Sequence, residues 1–235
     1  MIKFEYTSES LRELERTLSH DRLTPYLASM GGDAERAIRL YEQNMTLSEA
    51  LYGVLQGLEV ALRNAVHDQL TAGTGTVSWW KSIPLASEQQ ELIHYAEEAL
   101  RRDGKPPDAG RIVAELSFGF WTSLFGVRYS RIWRDHLVKA FPRRRLQRAE
   151  VHTRLTLIRK LRNRVAHHEP ILSRPLQKSV NDIFDTLSWM SPVTARWVQS
   201  NSSFESRYKT YQSLFPAVPM GKFVGKLHFA GDQRK

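Results

Sequence analysis

The 235-residue chain contains no cysteine. That excludes a disulfide framework, a thiolate-ligated zinc and a thiol nucleophile, and it fits a reducing compartment. No apolar run approaches the ~18 residues of a membrane span, and the start Met1-Ile2-Lys3-Phe4-Glu5 carries charge. The expected location is therefore cytoplasmic, with no membrane partner. A Gly-rich phosphate loop, an internal repeat and strand-period alternation are also missing. Without a Ser-His-Asp order or a carboxylate cluster, hydrolase chemistry of those kinds has little support. Acids are scarce in one place. Between Arg128 and Arg164 stand 13 Lys/Arg against Asp135 and Glu150, a charge of +11, whereas the rest of the chain sums to −2. All the net positive charge thus sits in one stretch, as a footprint for a polyanion would, or as one solvated face.

What is present supports a folded chain. Hydrophobic residues make up 41%, with 10 Phe, 6 Trp and 8 Tyr to fill a core. No internal linker divides the sequence, so one helical domain is expected over 1–213, followed by a basic, Pro/Gly-containing tail over 214–235. Leu11, Leu14 and Leu18 mark a helix from about 9 to 20. Thr24-Pro25 reads as a turn into a short helical piece, and Asp33 is placed to cap the next one. Thr46-Leu47-Ser48-Glu49 has the form of a capping box opening a helix over about 47–71, striped by Leu51, Leu55, Leu58, Leu62, Val66 and Leu70. On another face Glu59, Arg63 and His67 follow at four-residue spacing, either as a salt-bridge ladder or, with Asn64, as an accessory part of a site.

Further along, the loop over about 72–86 holds Trp79-Trp80 as an aromatic anchor. Ser87 is placed to cap a helix to about Arg102. Residues 111–125 form an apolar, aromatic segment, with Gly119 allowing close approach. Residues 127–140 form a helix with a basic face of Arg128, Arg131 and Arg134. Arg143-Arg144-Arg145 is a phosphate-binding tract or a solvated loop. The stripe Val151, Leu155, Ile158, Leu161 and Val165 defines a helix over about 147–168, which Glu169-Pro170 should break. A last helix fits 175–199, with Pro192 as a kink or division. The expected fold class is all-α: a single-domain bundle of about seven helices, without substantial sheet.

The chemistry converges on Arg162-Asn163-Arg164-Val165-Ala166-His167-His168-Glu169-Pro170. Arginines grip phosphate, and imidazole, with an ordinary pKa near ~6.5, takes and returns protons at neutral pH. Arg162, Asn163, His167 and His168 are the candidate catalytic residues. Arg164, Arg159, Arg154, Arg143, Arg144 and Arg145 are candidate RNA contacts, and Arg63, Asn64 and His67 candidate accessories. The bland alternative is that Arg and His merely cap the last carbonyls of the helix. Asn163 and His167 share a helix face, as do Arg164 and His168. Arg162 and His167, five apart, lie roughly 140° around an ideal helix. For both to meet one phosphate the guanidinium must swing, the helix must loosen before Pro170, or a second subunit must contribute. Adjacent His167, His168 and Glu169 lack the one-face geometry of a metal-binding helix, so no metal or other cofactor is expected.

The run Arg162 to Ile171 resembles the Arg-Asn-x-x-x-His signature of the HEPN superfamily, in the form typical of Abi-like (abortive infection, AbiD/F-type) proteins. Three earlier pieces agree in order: Leu58-Glu59-Val60-Ala61-Leu62-Arg63-Asn64, the Trp79-Trp80 loop, and Glu115-Leu116-Ser117-Phe118-Gly119-Phe120-Trp121. The resemblance covers roughly 35–190. It implies a HEPN-like helical bundle that dimerises through the motif helices, and often a metal-independent endoribonuclease used as a toxin or in phage defence. Arg162, Asn163 and His167 match the motif directly, and His168 is an extra imidazole. The run Arg63-Asn64-Ala65-Val66-His67 is one residue too short for the signature. The implied partners are RNA, a second copy of the chain, and an antitoxin or phage-derived trigger. A non-catalytic RNA-binding or protein-interaction module is the alternative. A DNA-binding regulator has less support, because no helix-turn-helix pattern stands out.

Overall fold

A computed structural model describes residues 4–216, and among them every regular element is helical. Eleven α-helices occur, with three short 3-10 turns. The all-α class is as expected, and the higher count comes from breaks at specific residues. No helix among the described residues is long and apolar enough to cross a membrane. The stretch from residue 217 on, which holds most of the expected tail, lies outside the described residues.

The chain sorts into two compact units. The first holds the residues up to Leu51, Arg164–Leu176 and the chain from Ser203. It contains α1 (Ser8–Leu18), α2 (His20–Ser29), the start of α3 (Ala34–Thr74) and α11 (Phe204–Leu214). Thr7 caps α1 and Asp33 caps α3 through the Arg36 N–H, each satisfying an otherwise free donor at a helix start. The expected turn at Thr24-Pro25 is instead helical, since both residues lie within α2. Tyr26, Leu23, Ile38, Leu40, Leu47, Leu51, Ile171 and Leu172 are buried here. Helix α11, absent from the sequence reading, uses Phe204, Tyr208, Tyr211 and Phe215 as a ladder of rings 5.2 to 6.1 Å apart.

The second unit holds Tyr52–Asn163 and Gln177–Ser202. Its helices are the rest of α3, α4 (Ser87–Arg102), α5 (Ala109–Glu115), α6 (Phe118–Ser123), α7 (Ser130–Asp135), most of α8 (Arg148–Ala166), α9 (Leu176–Met190) and α10 (Pro192–Ser200). Leu58, Leu62, Val66 and Leu70 of α3, Trp79, Phe120, Trp121 and Phe125, and Val151, Leu155, Ile158 and Leu161 of α8 form its buried apolar set. At about 25 cal/mol per Å², the large aromatics are its main stabilising groups. Trp79 is fully buried, its ring 6.2 Å from that of Trp121, which anchors the 72–86 loop as expected.

Several local expectations are corrected. Thr46 does not start a helix, because α3 runs unbroken from Ala34 to Thr74. Residues 37, 40, 44, 47, 51, 54 and 58 are all buried at 3.6-residue phase, so the continuous stripe overrides the local box. Ala86 rather than Ser87 is the N-cap of α4. The 111–125 segment is two helices, because Ser117 Oγ accepts the Phe120 N–H and opens α6. The 127–140 helix is a 3-10 turn, α7 and a second 3-10 turn. At Ser191 the final helix divides rather than kinks, with Ser191 capping α10 and Pro192 at its first turn, where its missing N–H costs nothing.

Candidate functional site

Helix α8 ends at Ala166, one residue before the motif histidine. The His168 N–H donates to the Val165 carbonyl at 3.2 Å, and the Glu169 N–H to the Arg164 carbonyl at 2.9 Å. These are the two bonds of a Schellman ending, with His168 in the left-handed position at φ 55°. Glycine normally fills that place, because a Cβ there costs about 1–2 kcal/mol. His167 is thus the C-cap and lies outside the helix. Both imidazoles are exposed, as is Asn163.

The turn after α8 is held from three sides within the first unit. Arg22 Nη1 donates to the His168 carbonyl at 2.7 Å. Arg164 Nη1 donates to the Pro170 carbonyl at 3.0 Å, with its Nε 3.6 Å from Glu169 Oε2. Asn44 of α3, 2% exposed, accepts the Ile171 N–H at 2.8 Å and donates to the Glu169 carbonyl at 3.4 Å. Arg164 therefore holds a carbonyl beyond the helix end, whereas the Arg164 and Val165 carbonyls of the helix are taken by backbone N–H groups. Sequence reasoning missed Arg22 and Asn44, since contacts spanning more than 120 residues leave no local signal.

In the second unit Arg162 Nε lies 3.3 Å from Glu59 Oε2, and Arg162 is about one-third exposed. Glu59, Arg63 and His67 do not form a ladder, because each is engaged elsewhere. Arg63 Nη1 reaches the Ala114 carbonyl at 3.5 Å. Trp79 Nε1 donates to His67 Nδ1 at 3.0 Å, which requires that nitrogen to be unprotonated. Burial lowers the His67 pKa, against a smaller opposing effect of Asp68. His67 is therefore a neutral structural acceptor, and Asn64 is exposed. A Cβ on Gly119 would sit 3.9 Å from Arg159 Nη1, so Arg159 reaches the corner between α5 and α6 that Arg63 also touches. Arg63 and Arg159 thus share that corner, and Glu59 and Arg162 pair with each other from the same two helices.

The remaining arginines are brought together elsewhere. Arg154 lies 3.3 Å from Asp185 and 3.6 Å from Asp182, with its guanidinium 4.5 Å over the Trp189 ring. Arg144 pairs with Glu150 at 3.2 Å and stands 5.1 Å over the same ring. Arg143 and Arg145 are exposed. Acids from α3 and α9 therefore neutralise part of the +11 stretch. Among the described residues no three His, Asp or Glu side chains gather as a metal-binding group.

The described residues are all-helical, Asn163, His167 and His168 are exposed, and Arg162 is held by the Glu59 carboxylate. The Abi-like protein family matches residues 10–173, and the chain belongs to that family. Membership points to abortive infection, a form of phage defence. Comparison with curated proteins and with solved structures gave no match. Of the pieces that carry the family resemblance, the second unit holds Glu59 and Arg63, Trp79 against Trp121, the α5–α6 corner, and Arg162 with Asn163, and the first unit holds Arg164 to Ile171.

Proposed function

We propose that the protein is a metal-independent endoribonuclease of the HEPN type, acting in phage defence or as the toxin of a toxin-antitoxin pair. The observation that carries this reading is the segment Arg162 to His167, with Arg162 oriented by Glu59 and His167 free at the helix end. His167, with His168 beside it, removes the proton from a ribose 2′-OH, and that oxygen attacks the adjacent phosphorus. Arg162 stabilises the charge that develops on the phosphoryl oxygens, and Asn163 orients the imidazole or a phosphate oxygen. A histidine of a second copy protonates the leaving 5′-oxygen. The products carry a 2′,3′-cyclic phosphate and a 5′-OH. RNA is the substrate, a homodimer the working form, and an antitoxin or phage-derived trigger the regulator.

The test is cleavage of RNA by wild type, Arg162→Ala and His167→Ala, each with EDTA present. Cleavage by wild type alone, unaffected by EDTA, is expected. Mixing the two variants should restore part of the activity if each site draws on two chains. Equal cleavage by all three proteins contradicts the assignment, and abolition by EDTA points to a metal instead.

A second reading has its own observation. Arg162, Arg154 and Arg144 all hold carboxylates, as arginines of a purely structural framework would. A non-catalytic RNA-binding or interaction module would bind RNA without turnover, and binding would survive Arg162→Ala.

A further inference from the structure

Two guanidinium groups hold one short stretch of backbone in the first unit, and a third arginine, Arg174, follows on the same stretch. Arg22 holds the His168 carbonyl and Arg164 the Pro170 carbonyl. Arg174 closes the next turn, its backbone N–H returning to the Ile171 carbonyl at 3.0 Å. Asn44 pins the same stretch through Glu169 and Ile171, so the backbone that carries these cations is fixed. Glu169 is the carboxylate beside them, 3.6 Å from Arg164 Nε. Arg174 Nε is buried without an acceptor. Burial and then the neighbouring Arg164 charge lower the Arg174 pKa, with Glu169 opposing.

A guanidinium cannot relieve such a position by losing its proton, since arginine stays charged at any physiological pH. Three arginines on one stretch against one acid, Glu169, therefore leave an excess of positive charge. Capping the turn would need only one of them. Each guanidinium carries five N–H groups, and the bonds to carbonyls take one each from Arg22 and Arg164. The remaining donors are held in place before any ligand arrives, which lowers the ordering cost of binding. Planar forks of this kind match the oxygens of a phosphate.

We propose that Arg22, Arg164 and Arg174 form a phosphate-binding subsite. On the ribonuclease reading, on which the identity of the ligand rests, the occupant is a backbone phosphate of the RNA strand flanking the scissile one. The subsite adjoins His167 and His168 in the chain, so a strand gripped there is held next to the proton-transferring groups. A free phosphate ester has the same recognition chemistry from another source.

The experiment measures affinity for a short single-stranded RNA by fluorescence anisotropy over a series of salt concentrations, in a His167→Ala background. Arg174→Gln, Arg22→Gln and Arg174→Lys are compared with Arg102→Gln, an exposed arginine of α4. Arg174→Gln should flatten the slope of log affinity against log salt by about 0.7, one phosphate contact's worth on a single strand. Arg174→Lys should keep most of the slope, and Arg102→Gln all of it. If Arg174→Gln does not fold, Arg22→Gln carries the same comparison. In a second arm, inorganic phosphate should raise the Tm of the His167→Ala parent above that in chloride of equal ionic strength, and Arg174→Gln should lose the difference. An unchanged slope with a phosphate effect that depends on Arg174 assigns the subsite to a free phosphate ester. A changed slope in a protein whose wild type never cleaves RNA keeps the subsite and removes the ribonuclease reading. An unchanged slope without any Arg174-dependent phosphate effect overturns the proposal.

Discussion

Replacing Asn44 by alanine tests whether a buried amide of α3 fixes the turn that presents the histidines. Asn44 is 2% exposed, and its Oδ1 accepts the buried Ile171 N–H at 2.8 Å. Alanine leaves that N–H without a partner in a place that water does not reach, a loss of about 1–3 kcal/mol. The 3.4 Å contact with the Glu169 carbonyl is at the long end for a hydrogen bond and adds little. A net loss of about 2 kcal/mol is a large share of the ~5–15 kcal/mol that holds a domain together. For a chain of this size each kcal/mol moves the Tm by about 2–4 °C, so Asn44→Ala should melt roughly 4–8 °C below wild type. Thermal unfolding followed by circular dichroism measures this, with Gln43→Ala, next on the helix and partly exposed, as the comparison. Gln43→Ala should shift the Tm by about 1 °C or less. If Asn44→Ala melts within about 1 °C of wild type, the Ile171 N–H has another acceptor and the clamp is not what holds the turn.

His168→Gly should leave stability unchanged or raise it by up to about 1 kcal/mol, because relief of the left-handed Cβ strain exceeds or matches the backbone entropy that glycine adds to the unfolded chain. A clear loss of stability in a urea titration would show that the His168 side chain holds the turn. Glu59→Gln should change stability by about 1 kcal/mol or less, since its pair with Arg162 is partly exposed, yet lower RNA cleavage at least about tenfold through a misplaced guanidinium. Unchanged cleavage would remove Glu59 from the site. His67 has a folded-state pKa below its unfolded value, so the unfolded chain binds more protons as pH falls. Its contribution is present above the unfolded value near ~6.5 and is lost as pH drops through the lower folded value. The Tm should therefore fall across that window in wild type and less in His67→Gln, with Trp79 emission reporting the broken bond. Equal pH profiles would contradict the neutral-acceptor role.

The apolar stripes of α3, α8 and α9 were legible because burial imposes a 3.6-residue period that any sequence window contains. The Thr46 box was misleading for the same reason in reverse: its local capping chemistry was correct, but the stripe around it never breaks phase. Helix α11 carries its signal in Phe204, Tyr208, Tyr211 and Phe215 at helical spacing, close to the Pro/Gly-rich end of the chain. Within the site, the identity of Arg162, Asn163 and His167 could be read from spacing, whereas their surroundings could not. Glu59 and Asn44 lie more than 100 residues from what they hold, and Asp182 and Asp185 reach Arg154 from another helix. Charge counted along the chain therefore overstated the free positive face. The Schellman ending was hidden because histidine stands where glycine usually marks it.

The most direct measurement is the chemistry of the ends made from a defined RNA in the presence of EDTA. Wild type should leave 2′,3′-cyclic phosphate and 5′-OH ends, and Arg162→Ala and His167→Ala should leave the RNA intact. Products ending in 3′-OH, or equal cleavage by all three proteins, would contradict the account.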